Sequence, residues 1–205
     1  MSYRKIFGFL AVVAAVALLA LPSAAQIVAT DAYQVHAYHA IVRNGLCLSI
    51  LGAAQGVDII NTGQIGSPID EPTLAGSVCA DIYVFDNRQE MQECCSLRLT
   101  ANELASVELC DLVGNALTGT TPLTGVIKIV SDLPRGGSCD PTSIQSPVNG
   151  AFRAWRTTLD TNLTPSSESA FRNAPLTVQE QQFLGQACAF VLYLGSGRGD
   201  CNPTH

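Results

Sequence analysis

A chain of 205 residues that is 47% hydrophobic, 14% charged and 6% aromatic is too apolar for a disordered protein and too short for several large domains. Only Arg4 and Lys5 are charged among the first 25 residues, so the remaining 180 carry 17 acidic against 9 basic side chains, a balance that argues against nucleic-acid binding. A domain of that size buries roughly 70% of its unfolded surface and needs neither a metal nor a partner merely to fold, which leaves the eight cysteines to be explained otherwise.

The chain opens with a short positive region at Arg4 and Lys5, an apolar run over 6–21, and small residues at Ser23, Ala24 and Ala25. This pattern predicts a signal peptide over 1–25, cleaved after Ala25, and a secreted domain over 26–205. Sixteen Ala-rich apolar residues are short for a membrane span of about 20, and no cationic stop-transfer flank follows. Gln26 rather than a cysteine follows the cleavage site, and no later stretch is apolar enough to span a bilayer, so the mature protein is expected to be extracellular or periplasmic and free of membrane.

Strand signals dominate from there to residue 157. In the run 32–42, Tyr33, Val35, Ala37 and Ile41 share one face at a period of two, as in a half-buried strand. Short apolar runs follow at 46–51 and 57–60. Residues 78–85 contain Ile82-Tyr83-Val84-Phe85, a continuous β-branched and aromatic run suited to a central strand covered on both faces. Further strands are predicted at 96–99, 106–112 and 126–130, with turn-rich pieces at 61–77 and 132–150. Thr100 and Glu103 suit a single capped turn between two of these strands. The gaps hold no helices for parallel crossovers, so the fold class is an antiparallel β-sandwich of six to eight short strands over 26–157.

The segment 158–205 reads as a helical cover. A short helix is predicted over 166–172. A longer one begins after Thr177, which lies three residues before Glu180 as in a capping box, and carries Leu176, Phe183, Leu184, Ala187, Phe190, Val191 and Leu194 at helical spacing before Gly195 ends it. The single apolar stripe is expected to pack on a sheet.

In an oxidising compartment Cys47, Cys79, Cys94, Cys95, Cys110, Cys139, Cys188 and Cys201 point to four disulfides. No C-x2-C or C-x2-H spacing supports zinc, and no C-x-x-C supports a thioredoxin-like role. Neighbouring Cys94 and Cys95 would form a strained ring if bonded to each other, so each is expected to reach a different distant partner and tie two segments to one point. Connectivity stays open, with Cys188 to Cys201 the first expected bridge.

Chemistry-bearing patterns are few. His36 and His39, three apart in a strand, point to opposite faces and cannot share a metal. Asp81, Asp86, Glu90 and Glu93 gather acid around the Cys94-Cys95 junction but lack the order of a calcium loop, and read as a solvated acidic surface. There is no G-x-S-x-G elbow and no H-E-x-x-H helix, and the Gly195-x-Gly197-x-Gly199 run follows a helix instead of opening one. Arg198-Gly199-Asp200 spells an adhesive tripeptide in a loop, and Asn162-Leu163-Thr164 fits a glycosylation sequon. Trp155, the only tryptophan, lies between Arg153 and Arg156; it is a candidate ligand contact, with burial in the sandwich core as the favoured alternative.

Tyr33-Gln34-Val35-His36, the run from Val78 to Asp86, Glu93-Cys94-Cys95-Ser96, and Leu184 through Gly195-Ser196-Gly197 to Cys201 together resemble a family of secreted, cysteine-rich bacterial proteins with no known activity. The resemblance covers most of the mature chain and implies a compartment and a shape without a reaction. The leading functional expectation is therefore a disulfide-stabilised structural or interaction module without catalytic activity or cofactor, whose partner is a protein or glycan at the cell surface. A carbohydrate- or small-ligand-binding sandwich using Trp155 is the second class, and a hydrolase assembled from dispersed Asp, Glu and His the third.

Overall fold

The computed structural model describes residues 31–40, 42–43, 46–47, 55–64, 76–115, 117–159 and 165–201. The expected signal peptide, Ile41 and the sequon at Asn162 lie outside them. In chain order the elements are β1 (Tyr33–His39), β2 (Val42–Arg43), β3 (Leu46–Cys47), β4 (Gln55–Asn61), β5 (Val78–Asp86), β6 (Met91–Leu99), β7 (Leu104–Glu108) and α1 (Leu109–Val113). There follow β8 (Thr124–Asp132), β9 (Phe152–Leu159), β10 (Pro165–Ala170), β11 (Arg172–Asn173), α2 (Val178–Leu194) and β12 (Gly199–Asp200).

The strands form a six-stranded sheet in the order β11-β1-β8-β5-β6-β12, a four-stranded sheet in the order β10-β9-β4-β7, and a small β2-β3 hairpin. All pairings are antiparallel except β12 on β6. The mainly β, sandwich-like architecture is the one expected. The sheets enclose one apolar core, to which β5 gives Val78, Ala80, Ile82 and Val84, β4 gives Val57 and Ile59, and β9 gives Phe152 and Ala154. A second core lies on the other side of the six-stranded sheet, where Tyr83, Phe85 and Cys94 meet Leu184, Cys188 and Val191 of α2. Alternate side chains of β5 thus enter different cores, which is why its sequence is a continuous apolar run.

Several local expectations change. Tyr33 and Val35, the apolar face of β1, pack in the core beneath α2, whereas Gln34 and Tyr38 face the other sheet. Gln34 is buried there because its amide imitates a strand edge: Nε2 donates to the Phe152 carbonyl (3.1 Å) and Oε1 accepts from the Ala154 N–H (3.2 Å). The strand expected over 106–112 ends at Glu108 and becomes α1. The helix expected over 166–172 is instead β10 and β11, joined across the sheets at Phe171, so the segment after 158 contributes strands to both sheets. Its Ser-rich sequence lacks an apolar face at helical spacing, and backbone pairing with β9 decides its state. The turn at Thr100 forms as expected: Glu103 Oε2 accepts from the Thr100 N–H (2.6 Å) and from its hydroxyl (2.7 Å).

Candidate binding groove

The site begins with the ends of α2. The Thr177 hydroxyl accepts from the Glu180 N–H (3.2 Å), and Gly195, at φ 79°, ends the helix with N–H bonds back to the Leu192 carbonyl and from Ser196 to the Val191 carbonyl. Both bounds agree with the sequence reading, with Thr177 as the cap and the Glu180 carboxylate turned to Lys128 and Tyr33. Leu184, Cys188 and Val191 form the buried face. At Gly185 a Cβ would stand 2.6 Å from the Thr142 carbonyl oxygen, so the missing side chain lets the helix rest on the 140–144 segment.

The predicted single apolar stripe is in fact two. Phe183, Ala187, Phe190 and Leu194, spaced by four, three and four residues, lie beside the buried face and line an open groove. Phe183 is 48% exposed, Phe190 62% and Leu194 42%. The expectation that these residues pack on the sheet is therefore corrected for Phe190 and Leu194, while Phe183 keeps a ring contact with Phe85 of β5. The buried set at 184, 188 and 191 already fills the space over β5 and β6, and a helix of this diameter cannot also bring Phe190 and Leu194 to the same surface.

The groove encloses about 780 Å³ between α2, the turn at 86–91 that joins β5 to β6, and Asn115 with residues 117–122. Its walls are tied by specific bonds. Asp86 Oδ1 accepts from the N–H groups of Arg88 (2.8 Å) and Glu90 (2.9 Å), and its Oδ2 accepts from Gln92 Nε2 (3.2 Å). Gln92 Oε1 in turn accepts from Asn115 Nδ2 (3.2 Å), whose Oδ1 holds the N–H groups of Leu117 and Thr118. At the floor Phe183 stacks on Phe85 with centroids 6.0 Å apart. The Lys128 ammonium lies 4.7 Å from the Phe85 centroid and 2.6 Å from Glu180 Oε1, which also accepts from the Tyr33 hydroxyl (2.9 Å). A concave, mostly apolar surface with a bonded polar rim is pre-formed in the manner of a binding site.

The Cys94-Cys95 junction holds this layer in place. Successive residues of β6 point to opposite faces, so Cys94 bonds Cys188 on α2 while Cys95 bonds Cys201 beside β12. The two-partner expectation holds, and the expected Cys188–Cys201 bridge does not form. A third disulfide joins Cys79 to Cys139, and Cys110 is disulfide-bonded too. The side chain of Cys47 lies outside the described residues. Disulfides at these positions fit an oxidising, non-cytoplasmic compartment.

The four acids expected around the junction are separated instead of gathered. Asp86 is consumed in the rim turn and Glu90 is exposed. Asp81 is buried with one oxygen accepting from Ser96 Oγ (2.5 Å) and the other unpartnered, and burial pushes its carboxyl up to about 7. Glu93 is buried at the β12 edge and is likewise pushed up to about 7 by burial, against the opposing pull of Arg198, whose N–H donates to it (2.6 Å). Asp81 and Glu93 are thus structural groups away from solvent, contrary to the acidic-surface reading.

Arg198-Gly199-Asp200 does not form the free loop expected, because Gly199 and Asp200 are the strand β12. Arg198 is held by Glu93 (3.5 Å) and Asp111 (3.8 Å), and Gly199 and Asp200 pair with Cys95 and Ser96. Trp155 is half-buried but belongs to neither apolar core: it stands on the outer face of the four-stranded sheet, directly across from Asp58, and is not part of the groove. Asp58 accepts there from the hydroxyls of Ser106 and Thr157. His36 and His39 point to opposite faces, as their spacing requires, with His36 turned toward β10. The groove is what sequence reasoning missed, although the offset of 183, 187, 190 and 194 from 184, 188 and 191 was present to be read. No family model, no curated protein and no solved structure matches the chain.

Proposed function

We propose that this protein is a secreted, disulfide-braced interaction module and that the groove beside α2 is its binding surface. The observation that carries the reading is the stripe of exposed Phe183, Phe190 and Leu194, with half-buried Ala187 among them, along a pre-formed groove of about 780 Å³. Large apolar side chains kept in solvent at regular helical spacing on a heavily cross-linked frame are a recurrent mark of a contact site. The disulfides supply support of a second kind, since they suit a domain that works outside the reducing cytoplasm. Site-specific photo-cross-linking tests the reading: a benzophenone amino acid at position 183 or 190, in protein expressed in its native host, should capture a discrete partner, while the same group at exposed Glu168 should not. Equal adducts at all three positions, or none at 183 and 190, would sink it. Recovery of the mature protein with Gln26 at its N-terminus would support secretion.

A further inference from the structure

We propose that Ser169 and His36 form a serine–histidine pair that cleaves small activated esters, on the face of the six-stranded sheet opposite the groove and independent of it. β10 belongs to the four-stranded sheet, but the chain crosses at Phe171 to pair as β11 with β1, and this crossing brings Ser169 against His36. His36 Nε2 lies 2.8 Å from Ser169 Oγ, and His36 Nδ1 lies 2.5 Å from the carbonyl oxygen of Ala37. A carbonyl oxygen can only accept, so Nδ1 carries the ring proton. In the neutral imidazole Nε2 is then a lone pair, and the Ser169 hydroxyl must donate to it. That is the polarity a histidine general base requires, with a backbone carbonyl in the orienting place a carboxylate often takes.

The surroundings fix the pair and leave it accessible. The Phe171 ring lies 5.0 Å from the imidazole, while Ser169 is exposed. Arg156 is the direct cross-strand partner of Ser169, so both side chains leave the sheet on one face. One guanidinium nitrogen of Arg156 donates to the His39 carbonyl (3.3 Å) and to Gln55 Oε1 (2.7 Å), and its buried Nε–H has no acceptor among the described residues. A fixed cation on this face favours negative charge developing there.

The step needs no cofactor. Ser169 Oγ bonds to the ester carbonyl carbon as its proton passes to His36 Nε2. The bond from that carbon to the leaving oxygen then breaks, and the leaving group departs with the proton. Water attacks the acyl-serine by the same route and restores the hydroxyl.

The test is to treat the mature protein with a fluorophosphonate probe and locate the adduct by peptide mass spectrometry. The adduct should fall on Ser169, be lost in Ser169→Ala, and form about 100-fold more slowly in His36→Gln. Hydrolysis of p-nitrophenyl acetate should fall in the same variants, while Ser167→Ala keeps the parent rate. A wild-type protein with no adduct on Ser169 overturns the proposal without any variant having to fold. So does an adduct whose rate of formation is unchanged in a folded His36→Gln.

Discussion

Asp81 makes the stability of the fold depend on pH in an unusual direction. In the unfolded chain its carboxyl titrates near 3.8, whereas in the fold, with Oδ2 buried and unpartnered, it titrates near 7. Between those values the native state holds a proton that the unfolded state has released, so the contribution of Asp81 to stability is full below pH 3.8 and is lost as the pH rises through 7. A displacement from 3.8 to about 7 corresponds to roughly 4 kcal/mol in all, of which roughly 2 to 3 kcal/mol falls between pH 5 and pH 8. For a domain of this size that is about 5 to 10 °C in Tm. Asp81→Asn is neutral throughout and keeps an oxygen for Ser96, but places an amide N–H2 where no acceptor lies. The variant should melt below the parent at pH 5 by the cost of that buried donor, roughly 1 to 3 kcal/mol, and match or exceed it at pH 8. Scanning calorimetry at half-unit steps from pH 4 to pH 8 reads this as two curves that converge or cross. Curves that stay parallel would refute a pH dependence carried by Asp81.

Partial reduction followed by peptide mapping should recover Cys94 joined to Cys188 and Cys95 joined to Cys201; a peptide joining Cys188 to Cys201 would contradict the fold. Gly185→Ala should lower stability by about 1 to 3 kcal/mol in urea melts, because the new methyl meets the Thr142 carbonyl oxygen at 2.6 Å. Phe190→Asp should change stability by no more than about 0.5 kcal/mol, since the ring is 62% exposed, whereas Leu184→Asp one turn and a half away should abolish cooperative unfolding. Near-equal losses from those two substitutions would mean that the helix lies the other way round.

The parts of this fold written in local sequence were legible, and those decided by other segments were not. The continuous apolar run of β5 announced a strand covered on both sides, and Thr177 and Gly195 marked the ends of α2, because each signal needs only its own neighbours. Residues 165–170 hold Ser167, Glu168 and Ser169, with no periodic apolar face in either strand or helix register, so their state is fixed by pairing with β9, which no local pattern encodes. Gln34 shows the same limit: its amide bonds two backbone groups 118 and 120 positions away. The groove was half legible, in the composition of α2 but not in its rotation. The mean hydropathy of an amphipathic stretch does not tell how much of the apolar arc a sheet will cover, and that depends on where Cys94 anchors Cys188.

The adjacent cysteines of β6 also change what a protease can accomplish. Cys79–Cys139, Cys94–Cys188 and Cys95–Cys201 close overlapping loops, so each peptide bond from Cys79 to Cys201 lies inside at least one of them. A single cut anywhere in that span leaves one covalent molecule, and a cut between Cys95 and Cys139 leaves its two halves joined by at least these three bridges. The pieces created by such a nick stay covalently tethered, so reassembly is intramolecular and carries little entropic cost. Cleavage of an exposed loop therefore becomes a survivable event, and the sheets, the helix and the groove between them outlast the continuity of the chain that built them.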